Sequence, residues 1–211
     1  MSTDPAQQQL PRSRSSFAIS FILRTATVIF VGGLLGLLVY RLVVGGQGGA
    51  VVSAIREGKK PKAPQFDLKL IWQRPDTWPP FFASLASVDH LSTDELRGIP
   101  VVMNFWASWC IPCKHEAPRL VASARAQRGK VLFLGVDVQD FTSDARRFLR
   151  RYDVNYPSVR DGTSSTYDKY GLTGVPETYY LNARGRLVAH SIGEVSKDEL
   201  ERQVSKLVRR Q

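Results

Sequence analysis

Cys110 and Cys113 are the only cysteines in this chain of 211 residues, and they stand in the stretch NFWASWCIPCKHEAP, residues 104–118. At this spacing two cysteines can close a disulfide, supply half of a metal site, or exchange disulfides with other thiols. A structural zinc site usually needs four ligands, and the remaining candidates, His90, His115 and His190, form neither a second CxxC nor an HxxxH pattern. A disulfide closing so small a loop adds little by restraining the unfolded chain. Redox work is therefore the favoured use of the pair. No thiol is left for a separate crosslink, so the domain must be held together by its core.

Such chemistry needs an element that tunes a thiol. Ile99 to Ala107, IPVVMNFWA, is a short apolar run rich in β-formers and reads as a buried central strand. After Trp109, the residues Cys113, Ala117, Leu120, Val121 and Ala124 recur at helical spacing to about Arg128, with Gly129 as the stop. The pair thus lies where a strand hands over to a helix. Unpaired N–H groups and the dipole at a helix start favour a thiolate on Cys110, the expected nucleophile. Cys113, one turn on and facing into the helix packing, is expected to resolve the mixed disulfide. Pro112 suits the first helical turn, whereas Pro118 falls inside and should kink the helix.

Downstream, Lys130 to Val138 is a second continuously apolar strand, followed by a helix from about Ser143 to Tyr152 with Ala145, Phe148, Leu149 and Tyr152 on one face. YPSVRD is a short extended stretch, and Ser164 to Tyr170 a short helix. The strands ETYYLN and GRLVAHS are joined by a hairpin turn at residues 182–185. A last helix begins at Ser196 with Glu199 completing a capping box, and Ser92 with Glu95 repeats that grammar upstream. The order βαβα then ββα predicts an α/β fold, a mixed central sheet with helices on both faces.

Residues 1–16 are polar and aperiodic and read as a disordered tail. Residues 17–44 are the most apolar in the chain and read as one transmembrane helix. Between Arg24 and Arg41 lie 16 uncharged residues. That is roughly 24 Å of helix, which snorkelling arginines and flanking apolar residues extend towards a hydrocarbon core of about 30 Å. Cleavage after Val52-Ser53-Ala54 would require a signal peptide with an apolar region far longer than usual, so an uncleaved anchor is expected. Gly32 and Gly36 form one GxxxG. Residues 45–61, rich in Gly, Lys and Pro, read as a linker. The formal net charge is +10, of which about +3 comes from residues 1–55. The rest is scattered, without the dense basic run and interleaved aromatics of a nucleic-acid groove, so no nucleic-acid partner is expected. Basic residues flank the apolar stretch on both sides, so charge does not set its orientation.

Trp-Ala-x-Trp-Cys-x-x-Cys-Lys, with Pro118 five residues after Cys113, resembles the thioredoxin active site, and TGVPET at 173–178 resembles the loop that carries that family's cis-proline. The opening KAPQFDLKL, the helical insert around 143–152 and the anchor are similar to the TlpA/ResA/DsbE group of membrane-anchored, thioredoxin-like thiol-disulfide oxidoreductases, over about residues 62–205. The resemblance implies a thioredoxin-like domain over 62–211, and a cis Val175-Pro176 bond beside the cysteines. It also implies a substrate groove bordered by Trp109, Val175, Pro176 and Glu177. Thioredoxin has an acidic residue six positions before its first cysteine. Asn104 stands there in this chain, which moves the expected proton-handling carboxylate to Glu116. The other reading of Glu116 is a solvated glutamate in the first helical turn, and His115 is expected at the surface. Family analogy makes the protein an extracytoplasmic protein-disulfide reductase with an apocytochrome c substrate and a transmembrane thiol electron donor, needing no cofactor and no metal. A general disulfide oxidant or isomerase, and a non-catalytic assembly chaperone or metal-binding module, stay open.

Overall fold

The computed structural model describes residues 15–44, 47–74 and 88–209, and the chain divides into two compact units, 1–45 and 46–211. The polar tail expected over 1–16 lies outside the described residues, except that Ser15 and Ser16 already belong to helix α1, Ser15–Val44. Within α1 the 19-residue span Ile22–Tyr40 is predominantly apolar, with Arg24 near its start, and exposed to its surroundings, about 28 Å of helix.

The stretch expected as a linker is instead largely helical. Helix α2, Gln47–Arg56, packs Val51 and Ile55 onto the core of the second unit. Its end explains why composition misled. Gly58 adopts a left-handed φ of 76°, Gly58 N–H bonds the Ile55 carbonyl at 3.0 Å and Lys59 N–H bonds the Ala54 carbonyl at 2.9 Å. That is a helix-terminating Schellman arrangement, in which glycine is a stop signal and not a sign of a flexible tether.

The second unit is built on a mixed sheet of seven strands among the described residues. They are β1 Asp67–Trp72, β2 His90–Ser92, β3 Val101–Trp106, β4 Leu132–Val138, β5 Ser158–Asp161, β6 Glu177–Leu181 and β7 Leu187–Ile192. Their spatial order is β2-β1-β5-β4-β3-β6-β7, with β3, β4 and β5 parallel and every other pairing antiparallel. β3 and β4 are buried along their whole length, as their continuous apolar runs require of central strands covered on both faces. β1 and β2 were not read from the sequence as strands. The signal for β1 was nevertheless there, in the alternation of Phe66, Leu68 and Leu70 with Asp67 and Lys69.

Side-chain alternation divides the core in two. Val101, Met103 and Phe105 of β3 point to one cluster, which helices α2 and α5 (Ser165–Tyr170) help to close. Val102 and Trp106 point to the other, beneath α3 (Ile111–Ala126), α4 (Thr142–Arg151) and α6 (Lys197–Arg209). Asn104 shares the parity of Val102 and Trp106, so it faces α3. Helix α3 runs from Ile111 to Ala126 as one element with Pro118 inside it. The α6 cap forms only in half. Glu199 N–H bonds the Ser196 hydroxyl at 3.2 Å, while the Glu199 carboxylate turns to Ser191, Arg202 and Gln203.

Gly135 on β4 marks the tightest approach in the sheet. A Cβ there would lie 2.4 Å from Ser158 Oγ and 2.8 Å from Trp106 Nε1. Gly135→Ala is therefore expected to cost about 1–3 kcal/mol, the usual range for overpacking a filled core. Ser158→Gly in the same chain should recover part of that loss, both read from urea unfolding midpoints.

Candidate functional site

The cysteines sit at the strand-to-helix handover. Cys110 is the N-cap of α3, in extended backbone geometry (φ −73°, ψ 114°), and its Sγ accepts a hydrogen bond from Cys113 N–H at 3.1 Å. A sulfur that caps a helix with an otherwise orphan N–H aimed at it is placed to carry negative charge. The pair is closed as a disulfide, with Cα atoms 5.3 Å apart, and the residues are only 3% and 2% exposed. Trp109 and Ile111 on either side of Cys110 are well exposed.

Two loops hold this turn. Ser108 N–H and hydroxyl bond the Asp140 carboxylate at 2.5 and 3.0 Å, and Trp109 Nε1–H bonds the Gln139 carbonyl at 3.0 Å. Arg160 fastens the loop of Gln139 and Asp140, bonding Asp137 at 3.0 Å and the Asp140 carbonyl. Across the site, the Val175-Pro176 bond is cis, and the Val175 carbonyl oxygen lies 3.5 Å from Cys110 Sγ. The disulfide sulfur has no hydrogen to donate there, whereas a reduced Cys110 thiol would.

Beneath the pair lies Glu116, one turn beyond Cys113, with 0% exposure. The solvated-glutamate reading is thereby excluded. Asn104 Nδ2–H donates to Glu116 Oε1 at 2.8 Å and to Thr178 Oγ1 at 3.1 Å, and Val195 N–H donates to Glu116 Oε2 at 2.9 Å. Burial pushes the proton affinity of Glu116 up to about 7, against the pull of these two donors and of Arg119. Asn104 thus stands opposite Glu116 as its hydrogen-bond donor.

Glu177 does not line the groove. It is 1% exposed, and its Oε1 accepts from Thr173 N–H, the Thr173 hydroxyl and Gly174 N–H at 2.7, 2.9 and 3.1 Å. Its Oε2 meets His190 Nε2 at 2.7 Å. Burial raises its proton affinity, but the His190 and Thr173 bonds outweigh that and hold it below the usual carboxylate range. Glu177 therefore shapes the loop that presents Val175 from inside. His115 is at the surface, 3.5 Å from Glu194. The histidines stand at three separate places, His90 on Asp67, His115 on Glu194 and His190 on Glu177.

A further buried carboxylate, Asp137, has no counterpart in the sequence reading. It is fully buried on β4 opposite Trp106, and burial, then the neighbouring Asp140, push its proton affinity up to about 8, with Arg160 acting the other way. A charged residue inside the apolar run LFLGVDV was the signal that could have found it. The assembled site, a closed Cys110–Cys113 disulfide at a helix start, over the buried Glu116 carboxylate and beside the Val175 carbonyl, is equipped for thiol-disulfide exchange.

Known proteins carry the same arrangement of elements. Residues 61–190 match the model of the AhpC/TSA family. The thiol-disulfide oxidoreductase ResA of Oceanobacillus iheyensis is 29% identical over 160 residues, 72% of this chain and 77% of its own length. ResA of Bacillus subtilis is 29% identical over 108 residues, 51% of this chain and 60% of its own length. Among solved structures, MTB dsbF in its mixed oxidised and reduced forms superposes with a TM-score of 0.57 at 26% identity, covering 67% of this chain and 94% of that one. A DsbE-type thiol:disulfide interchange protein from Chlorobium tepidum gives 0.57 at 23% identity, over 71% and 96%. The chain belongs to the AhpC/TSA family, and its folded unit is thioredoxin-like.

Proposed function

We propose that this protein is a membrane-anchored thiol-disulfide oxidoreductase that reduces disulfides in extracytoplasmic proteins, with the oxidised haem-attachment segment of an apocytochrome c as its substrate. The observation that carries the redox reading is Cys110 Sγ at the N-cap of α3, 3.1 Å from Cys113 N–H, with its disulfide partner one turn above a buried carboxylate. The relatives named thiol-disulfide oxidoreductase support the activity. The apolar span Ile22–Tyr40 supports the anchor, and the compartment and substrate follow from the resemblance of the cysteine and TGVPET motifs to the TlpA/ResA/DsbE group.

In the reduced protein the Cys110 thiolate attacks one sulfur of the substrate disulfide. The Cys110–substrate bond forms, the substrate S–S bond breaks, and the leaving thiolate takes up a proton. Cys113 then gives its proton to the Glu116 carboxylate and attacks Cys110 Sγ, which releases the second substrate thiolate. Two electrons have passed to the substrate, and the pair is left as the disulfide seen in the structure. A transmembrane dithiol donor resets it. Trp109 and the Val175 carbonyl border the space above Cys110, where an extended segment would lie along the loop of Pro176, and Glu177 keeps that loop in shape.

Cys110→Ser is expected to drop reduction of a model disulfide to the uncatalysed rate, and Cys113→Ala to accumulate mixed disulfides through Cys110 in the membrane fraction. Wild-type turnover in the first variant, or no trapped species in the second, overturns the mechanism. In intact cells after gentle reduction, a membrane-impermeant thiol reagent should label Cys110, and absence of labelling removes the extracytoplasmic reading.

The raised proton affinity of Glu116 also predicts a pH dependence of stability. Between about 4.5, its ordinary value, and about 7 the folded chain keeps a proton that the unfolded chain has lost, so rising pH destabilises the fold. The full loss above pH 7 is about 3 kcal/mol for a fully buried group. Urea unfolding of the oxidised protein at pH 5 and pH 8 should show that extra slope in the wild type and lack it in Glu116→Gln.

A further inference from the structure

The turn between β7 and α6, Gly193-Glu194-Val195, grips the site at three successive residues. Gly193 N–H bonds the Pro176 carbonyl at 2.9 Å, from a left-handed φ of 80° that favours glycine. Val195 N–H bonds Glu116 Oε2 at 2.9 Å. Between them the Glu194 carboxylate takes Arg119 Nη2 on one oxygen and lies 3.5 Å from His115 Nδ1 with the other. Arg119 and His115 stand on α3 on either side of Glu116 in sequence. The N–H of Val195 belongs to the peptide unit that starts at the Glu194 carbonyl carbon, so fixing Glu194 restrains the direction of the donor on Glu116.

Surface ion pairs usually contribute little. This one differs, because both side chains are only about a third exposed and Arg119 Nε is buried with no hydrogen-bond partner among the described residues, its guanidinium laid down against the protein. We propose that the Glu194–Arg119 pair is a clamp that positions the Val195 N–H on the buried Glu116 carboxylate, making both charges positioning residues for the redox site. The functional consequence rests on Glu116 handling the Cys113 proton. The groups that face Glu116 are Asn104 from β3, Tyr180 from β6, Tyr156 ahead of β5, Arg119 from its own helix, and Glu194 with Val195 from the turn.

Charge alone and clamping have opposite signatures in Glu194→Gln and the same upward sign in Arg119→Gln. Through space Arg119 lowers the proton affinity of Glu116 and Glu194 raises it, so simple loss of the Glu194 charge would lower it. Release of the Val195 N–H, which stabilises the ionised form, would raise it. The test follows the Glu116 carboxyl by 13C NMR titration in the oxidised full-length protein in detergent micelles, assigned with Glu116→Gln. Glu194→Gln and Arg119→Gln should both move the midpoint up, by about half a pH unit or more for a lost hydrogen bond to the charged form. Both should speed hydrogen exchange of the Val195 amide, and the swap Glu194→Arg with Arg119→Glu should restore its protection. A downward midpoint in Glu194→Gln, or no shift in either variant, overturns the clamp. The pH profile of disulfide reduction is measured in parallel. Should the Glu116 midpoint move as expected while that profile stays fixed, the clamp stands and the proton role of Glu116 falls.

Discussion

A carboxylate with no access to water must have its oxygens met by donors that the fold itself supplies, and the burial of Glu116 fixes much of this domain around it. One donor comes from β3, through Asn104, and the other from the backbone of the turn before α6, through Val195. Both must arrive within hydrogen-bond distance of one helical residue. That ties the register of β3, the rotation of α3 and the path of the β7–α6 turn to one another. Asn104 also reaches Thr178, its cross-strand neighbour on β6, so the same side chain links the cis-proline strand to the acid.

The two sides of the cysteine turn are held by different means. On the cis-proline side, Glu177 collects three donors from residues 173 and 174 and keeps an ionised carboxylate by pairing with His190, which itself stacks on Tyr179 at 4.1 Å. On the other side, Asp140 holds Ser108 and Arg160 holds Asp137. Burial costs a lone carboxylate its charge, and it costs a well-bonded one little. Glu177 and Glu116 are both buried glutamates. They titrate in opposite directions because one has an imidazole and three loop donors around it and the other has a neutral amide and a single backbone N–H.

Much of this was legible in one dimension. The continuous apolar runs of β3 and β4, the helical spacing after Trp109 and the proline of TGVPET each report a local requirement, and each element formed where it was read. The linker reading failed because glycine and lysine were weighed as composition, while the Val51 and Ile55 pair and the left-handed stop at Gly58 carried the helix. Glu177 was read as a groove residue because its neighbours are. Strand alternation beside a cis-proline turned it inward.

The sequence by itself determined the reactive pair and its place at a helix start, since two cysteines within one turn, a preceding strand and a proline pattern are local facts. It also excluded Asn104 as a proton-handling group, because a carboxamide does not ionise at ordinary pH. Whether Glu116 was solvated or sealed, which residues bond it and what its proton affinity becomes were decided only by tertiary structure. Those properties depend on Val195, Thr178 and Glu194, which come near α3 only when β6, β7 and α6 have packed against it. Solvation is a property of the assembled surface, and no local pattern encodes it.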